Sequence, residues 1–254
     1  MRIDCFLYNG EIEVLTLRLA TLGGVVDRFV LVESTRTFSG HEKPLHFASV
    51  KPHFASWGQR IQHIVLQNEP VGLDGYFLRE AWQRQQLARG LIGLPEDAQV
   101  LIGDVDEIPD PALLPRESDM RAFRMALYYY DARTVCTSRR WLGTMVTRVS
   151  EVRRVGGPES VRRLRDAVPT IEGGWHFSHT GGVQAVGAKL RAGSHTEMDT
   201  PEHHAAIGDN MALARDLFGR EEFIWERGAL GGDLPAPLRL HPDRWPGLSE
   251  GRWT

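Results

Sequence analysis

Four short apolar runs, at residues 3–8, 28–32, 61–66 and 99–102, alternate with segments patterned for helix, and three of them stop at polar clusters. The first closes at Asn9-Gly10, and residues 11–22 then place Ile12, Leu15, Leu19 and Leu22 at helical spacing. Acids occupy that helix's first turn and Gly23-Gly24 ends it. RFVLV runs into Glu33-Ser34, and VLIG runs into Asp104-Val105-Asp106. Residues 75–90 are polar and helical, with Phe77, Ala81, Leu87 and Leu91 near one face. Short strands separated by helices constrain the chain to an α/β fold, a mostly parallel central sheet flanked by helices. Ligands of such sheets sit at the carboxyl ends of the strands, so the three polar clusters are expected to converge on one crevice.

The second half is less regular. Strands are expected at 120–130, 144–149 and 173–178, and a helix at 183–190. A helix over 201–218 has Pro201 in its first turn and Gly219 at its end. The tail from Leu234 is rich in proline and is expected to lie over the surface. No linker divides the 254 residues, which read as a single domain.

Composition narrows the partners. A formal net charge of −3 exerts no global pull toward nucleic acid or an anionic membrane. Of 30 basic residues only Lys43, Lys51 and Lys189 are lysine. Coding composition accounts for most of the arginine; anion recognition by guanidinium forks is the functional alternative. Arg139-Arg140, Arg153-Arg154 and the trio Arg162, Arg163 and Arg165 lack the aromatic interleaving of a nucleic-acid module. An anionic acceptor, such as a phosphorylated or lipid-linked saccharide, is their other possible use. Cys5 and Cys136 read as small buried thiols, and nothing demands an oxidising compartment. The opening MRIDCFLYNGEIEV has acids where a secretory leader has an apolar core. No apolar run approaches the roughly 20 residues that span a bilayer. A soluble, cytoplasmic protein without a transmembrane segment is expected.

VLIGDVDEIPD, residues 100–110, carries the densest chemistry. Crowded carboxylates repel unless water, a cation or a proton lies between them. If the backbone stays extended, Asp104 and Asp106 point the same way. Two such oxygen donors suit Mg²⁺ or Mn²⁺, which completes its shell with substrate phosphates. The alternative is a turn in which Asp104 caps backbone N–H groups and Asp106-Glu107 is solvated before Pro109.

Four blocks, FLYNGEIEVLTLRLATLGGVVDRFVLVESTRTFSGHEKPLHF, YFLREAWQRQQLARGL, VLIGDVDEIPDP and GGWHFSHTGG, together resemble glycosyltransferase family 17, the family of enzymes that add bisecting N-acetylglucosamine. They fall in family order from about residue 3 to residue 220. The resemblance implies a GT-A-like nucleotide-sugar fold. Its nucleotide-binding half is about 1–110, its acceptor side about 111–220, and its C-terminal tail about 221–254. It also implies inverting transfer from a UDP-sugar, foremost UDP-N-acetylglucosamine, to a saccharide.

On that resemblance Asp104 and Asp106 hold Mn²⁺ or Mg²⁺ against the donor diphosphate, and His176 or His195 is a late metal ligand. Glu107 binds a metal-held water or a sugar hydroxyl, or is a solvated turn acid. Asn9, Gly10 and Glu11 lie against the uridine; Glu33 accepts from ribose or uracil, or caps a loop. Arg79 and Arg84 reach the diphosphate or pair with nearby acids. Trp175 stacks on a sugar or enters the core. Inversion needs a general base, for which Glu172, His179, Glu197 and Asp209 come late enough in the chain. Spacing does not choose among them, and His179 is carried with the catalytic candidates.

Two rivals remain. An aspartate-nucleophile phosphohydrolase also uses strand–D-x-D, but after the first strand and with Thr or Gly following, whereas Glu107-Ile108-Pro109 follows here. A catalytically inactive glycan- or nucleotide-binding domain is opposed by the intact Asp104 and Asp106.

Overall fold

The computed structural model of the protein describes residues 1–117 and 119–251, so the last three residues of the C-terminal tail lie outside the described residues. Four parallel strands form one side of the sheet: β1 (Arg2–Leu7), β2 (Arg28–Ser34), β3 (Ile61–Leu66) and β4 (Gln99–Asp104), in the order β3-β2-β1-β4. β1, β2 and β4 are buried almost without interruption, because both sheet faces are covered. Successive residues serve opposite faces: Cys5 packs with Val30 and Ile102, while Phe6 packs with Leu15 and Phe29.

The chain then turns into β5 (Glu107–Ile108) and continues through β6 (Arg121–Tyr129), β7 (Thr134–Cys136), β8 (Trp141–Arg148), β9 (Thr170–Ser178) and β10 (Trp225–Arg227). β8 pairs antiparallel with β4 and with β6, β7 joins β6 to β10, and β9 runs parallel to β6. The result is a mixed, mostly parallel central sheet whose antiparallel extension carries the second half of the chain. β5 pairs antiparallel with β9, setting Glu107 opposite His176.

Helices cover both faces. In chain order they are α1 (Ile12–Leu22), α2 (His46–Val50), α3 (Tyr76–Gln85), α4 (Val149–Arg154), α5 (Pro158–Arg163), α6 (Gly182–Ala192), α7 (Pro201–Ala212), α8 (Ala236–Leu240) and α9 (Pro246–Glu250). α1 buries Leu15, Leu19 and Leu22 on one face. Leu87 and Leu91, which follow α3 in a tight 3₁₀ segment, join Val149, Val152 and Val161 on the other.

Three expectations change. The helix expected over 201–218 stops at Ala212, and Ala214 adopts a positive φ of 51° that breaks it. The short helices α4 and α5 occupy a stretch read only as basic. The tail is anchored rather than draped: Leu238 and Leu248 are fully buried, and the Glu13 carboxylate accepts from the Gly247 and Leu248 N–H groups at 3.2 and 3.1 Å. Cys5 and Cys136 are buried free thiols. Among the described residues no helix is long and apolar enough to cross a membrane.

Candidate active site

The acid loop begins where β4 ends. The backbone turns at Val105-Asp106 instead of staying extended, then re-enters the sheet as β5. Arg18 of α1, wholly buried, holds that turn. Its guanidinium donates to both Asp4 carboxylate oxygens at 2.6 and 2.7 Å. It also donates to the carbonyls of Asp104, Val105 and Glu107 at 2.9, 3.3 and 2.7 Å. The five-donor fork suits this: Nε and one terminal nitrogen meet the carboxylate, and the other terminal nitrogen meets the carbonyls. Gly103 completes the geometry: a Cβ there would lie 2.4 Å from Thr144 Oγ1 and 3.0 Å from Glu107 Oε2.

Side-chain cations answer the acid crowding. Asp104, about a third exposed at 32%, receives Arg84 at 3.2 Å and Arg162 at 3.4 Å. Buried Asp106 pairs with Lys189 at 2.8 Å, and His176 Nε2 lies 3.6 Å away. Glu107 is no solvated turn acid: it is wholly buried, paired with Arg162 and bonded by Trp141 Nε1 at 2.6 Å. Burial alone would push the Asp104 carboxyl up, but the Arg84 and Arg162 guanidinium groups outweigh it and hold it below the usual range. Asp106 is held far below that range because Lys189, then His176, outweighs its burial. The same pair, with Glu11, keeps Lys189 charged against its own burial.

These groups face a cleft of about 330 Å³, lined by Asn9 and Glu11 from the loop after β1, by Asp104 and Asp106, and by His176, His179 and Lys189. Tyr129, Trp141, Phe218 and Phe223 add aromatic wall. A second cavity of about 570 Å³ adjoins it along the start of α1, with Gly10, His46 and Thr180 in its lining. Gly10 has φ of 107°, and a Cβ there would meet the His46 ring at 3.1 Å. Tyr8 Oη and His176 Nδ1 belong to cleft-lining residues and are buried without a hydrogen-bond partner among the described residues. His179, with φ of 52°, takes a 2.8 Å contact between Nδ1 and Ser178 Oγ and packs edge-on to Tyr129 and Phe218. Burial, then the Lys189 charge, pushes its imidazole down to about 3, so the ring is neutral.

Other candidates lie elsewhere. Glu33 turns inward at the end of β2, accepting from the Phe47 N–H at 3.1 Å and from the His46 N–H, with His63 at 3.0 Å and Lys43 at 3.5 Å. It therefore holds the start of α2 and not a nucleoside. Arg79 pairs with Glu69 at 2.6 Å, away from the cleft lining. Arg84 is gripped by Glu80, Asp104 and Glu159, so it serves the acids directly. Trp175 enters the core and donates to the Asp233 carbonyl at 2.6 Å. His195 lies at the cleft but pairs with Glu197 at 2.8 Å and packs on Phe77, not on the acid loop. Of the four base candidates only His179 lines the cleft; Glu172 faces Arg124 at 3.5 Å, and Asp209 is exposed on α7.

Sequence reasoning missed Lys189, Arg162, Trp141, Tyr8 and Arg18 as members of the site. Lys189 had a compositional signal, as one of three lysines among 30 basic residues. Arg162 falls in a run read as basic, with an anionic acceptor as its possible use, although its neighbour Val161 marks a buried helix face.

An α/β sheet with an acid pair at the carboxyl end of a central strand, opening on an aromatic-walled cleft, places the candidate ligand site at the strand ends. The sequence profile of glycosyltransferase family 17 matches residues 2–219, and the chain belongs to that family. The chain is similar to the beta-1,4-mannosyl-glycoprotein 4-beta-N-acetylglucosaminyltransferases of Homo sapiens and Rattus norvegicus, each 32% identical over 115 residues. Each match spans 42% of this chain but only 21% of the relative. The Mus musculus enzyme of the same description is 31% identical over the same length.

Proposed function

We propose that the chain transfers N-acetylglucosamine from UDP-N-acetylglucosamine to a hydroxyl of a saccharide acceptor, with inversion, on a GT-A-like scaffold. The observation that carries this reading is the meeting of the Asn9-Gly10-Glu11 loop and the Asp104–Asp106 turn in one cleft of a family 17 chain. We assign the nucleoside to the cavity along the start of α1, whose lining includes Asn9, Gly10 and Glu11. Trp141, half-buried in the cleft wall, is the aromatic side chain we assign to a sugar ring on the other side.

The donor set supports Mn²⁺ or Mg²⁺ at this place. Among the described residues no group of three or more His, Cys, Asp or Glu forms a protein-only metal cage. Two carboxylates on a cleft wall are nevertheless what these ions take when phosphate and water complete the shell. Asp104 and Asp106 would hold the ion, which when bound neutralises charge on the departing diphosphate. His179 is the base that the cleft offers to the acceptor hydroxyl. Its ring is neutral and able to accept a proton, but weakly basic.

The test is nucleotide release from a panel of sugar nucleotides with Mn²⁺, with and without oligosaccharide acceptors. UDP release is expected to be fastest from UDP-N-acetylglucosamine and lost in Asp106→Asn. Hydrolysis of simple phosphate monoesters with no UDP release from any donor would overturn the reading in favour of a phosphohydrolase.

A further inference from the structure

Lys189 stands where α6 meets both active-site loops. Its ammonium lies 2.8 Å from Asp106 Oδ2 and 3.6 Å from Glu11 Oε1, and it contributes to the walls of both cavities. The helix that carries it is pinned. Gly181 and Gly182 start it at φ of 105° and 78°. At its other end the Phe38 N–H donates to the Ala192 carbonyl at 3.1 Å, and Ser39 Oγ to the Arg191 carbonyl at 2.5 Å. Movement of the ammonium is therefore left to its own four-carbon stem.

An ammonium and a divalent ion compete for one carboxylate, because both need its lone pairs and like charges repel at this range. A diphosphate changes the balance, since its oxygens give the ammonium a new partner while Glu11 keeps it close. On the donor reading above, we propose that Lys189 is the internal counterion of Asp106 in the nucleotide-free protein. It keeps divalent cations off the acid loop until a nucleoside diphosphate arrives and draws the ammonium away. Metal and nucleotide then bind with positive coupling, and the coupling is reciprocal.

Mn²⁺ binding, followed by electron paramagnetic resonance of the free ion with and without UDP, reads this directly. Wild type is expected to bind Mn²⁺ weakly alone and about tenfold or more tighter with UDP. Lys189→Met, which leaves Asp106 without its counterion, is expected to bind Mn²⁺ alone at least about tenfold tighter than wild type. Lys189→Arg keeps the charge and the weak binding, and Asp106→Asn in the Lys189→Met background removes the gain. Thermal unfolding by circular dichroism checks that each variant is folded, with Lys189→Gln in place of Met should Met fail. Equal Mn²⁺ affinity with and without UDP, or no gain in the uncharged variants, overturns the inference; UDP binding by wild type then leaves the donor reading standing. No UDP binding under any metal condition overturns both.

Discussion

Arg18 and Arg162 approach the same four-residue turn from opposite sides of the sheet and fix different things. Arg18 holds main-chain carbonyls, and Arg162 compensates the Glu107 and Asp104 carboxylates. Removing either leaves a buried acid without its counterion. Arg18→Met is expected to cost about 3–5 kcal/mol, since Asp4 is wholly buried and stays behind uncompensated. Denaturant unfolding measures this, and a loss under about 1 kcal/mol would show that the pair is not what holds the turn. Gly103→Ala acts by volume instead. Its methyl would collide with Thr144 Oγ1, and a loss of about 1–3 kcal/mol is expected in the same assay.

At the scale of elements, β1, α1, β2, β3 and β4 were legible to within a residue or two, because β1, β2 and β4, buried on both faces, read as nearly unbroken apolar runs and α1 shows its buried face at helical spacing. α4 and α5 were not: six residues are too few for a period, and the Gly157-Pro158 start was hidden among arginines. Arg162 compensates an acid 55 positions earlier, a pairing that no local pattern reports. Glu33 was correctly seen at a strand end, but which way the end faces depends on α2, which the sequence did not announce. The D-x-D stretch itself was plain; the turn within it depends on Arg18, a distant residue.

His179 belongs to the junction of β9 and α6, and its prediction is kinetic. His179→Asn is expected to lower kcat by about 10²–10⁴-fold in UDP release. Because the ring in the free protein titrates at about 3, kcat/KM is expected to show no histidine limb between about pH 5 and 8. A limb centred near 6.5 that disappears in the variant would mean that the ring is solvated and not held as described.

For the whole molecule the same burial sets the acid limit. His179 has a folded value well below its ordinary 6.5, so the unfolded chain takes up the proton first. Stability is thus fully present above about 6.5 and falls as pH drops toward 3. Glu33, Asp104, Asp106 and Asp216, all depressed, add to the loss once pH falls below their ordinary values of 4.5 and 3.8. Thermal midpoints from pH 7 to 4 are expected to decline, starting before the carboxylates titrate, and less steeply in His179→Asn. A flat profile over that range would contradict a neutral, half-buried imidazole.

The most direct measurement is calorimetric titration of UDP-N-acetylglucosamine, with Mn²⁺ present, into wild type and Asp106→Asn. Saturable binding by wild type, weakened at least about tenfold in the variant, is expected of a donor site built on the acid loop. A wild-type protein that ignores the donor, or a folded variant that binds it unchanged, would contradict that site.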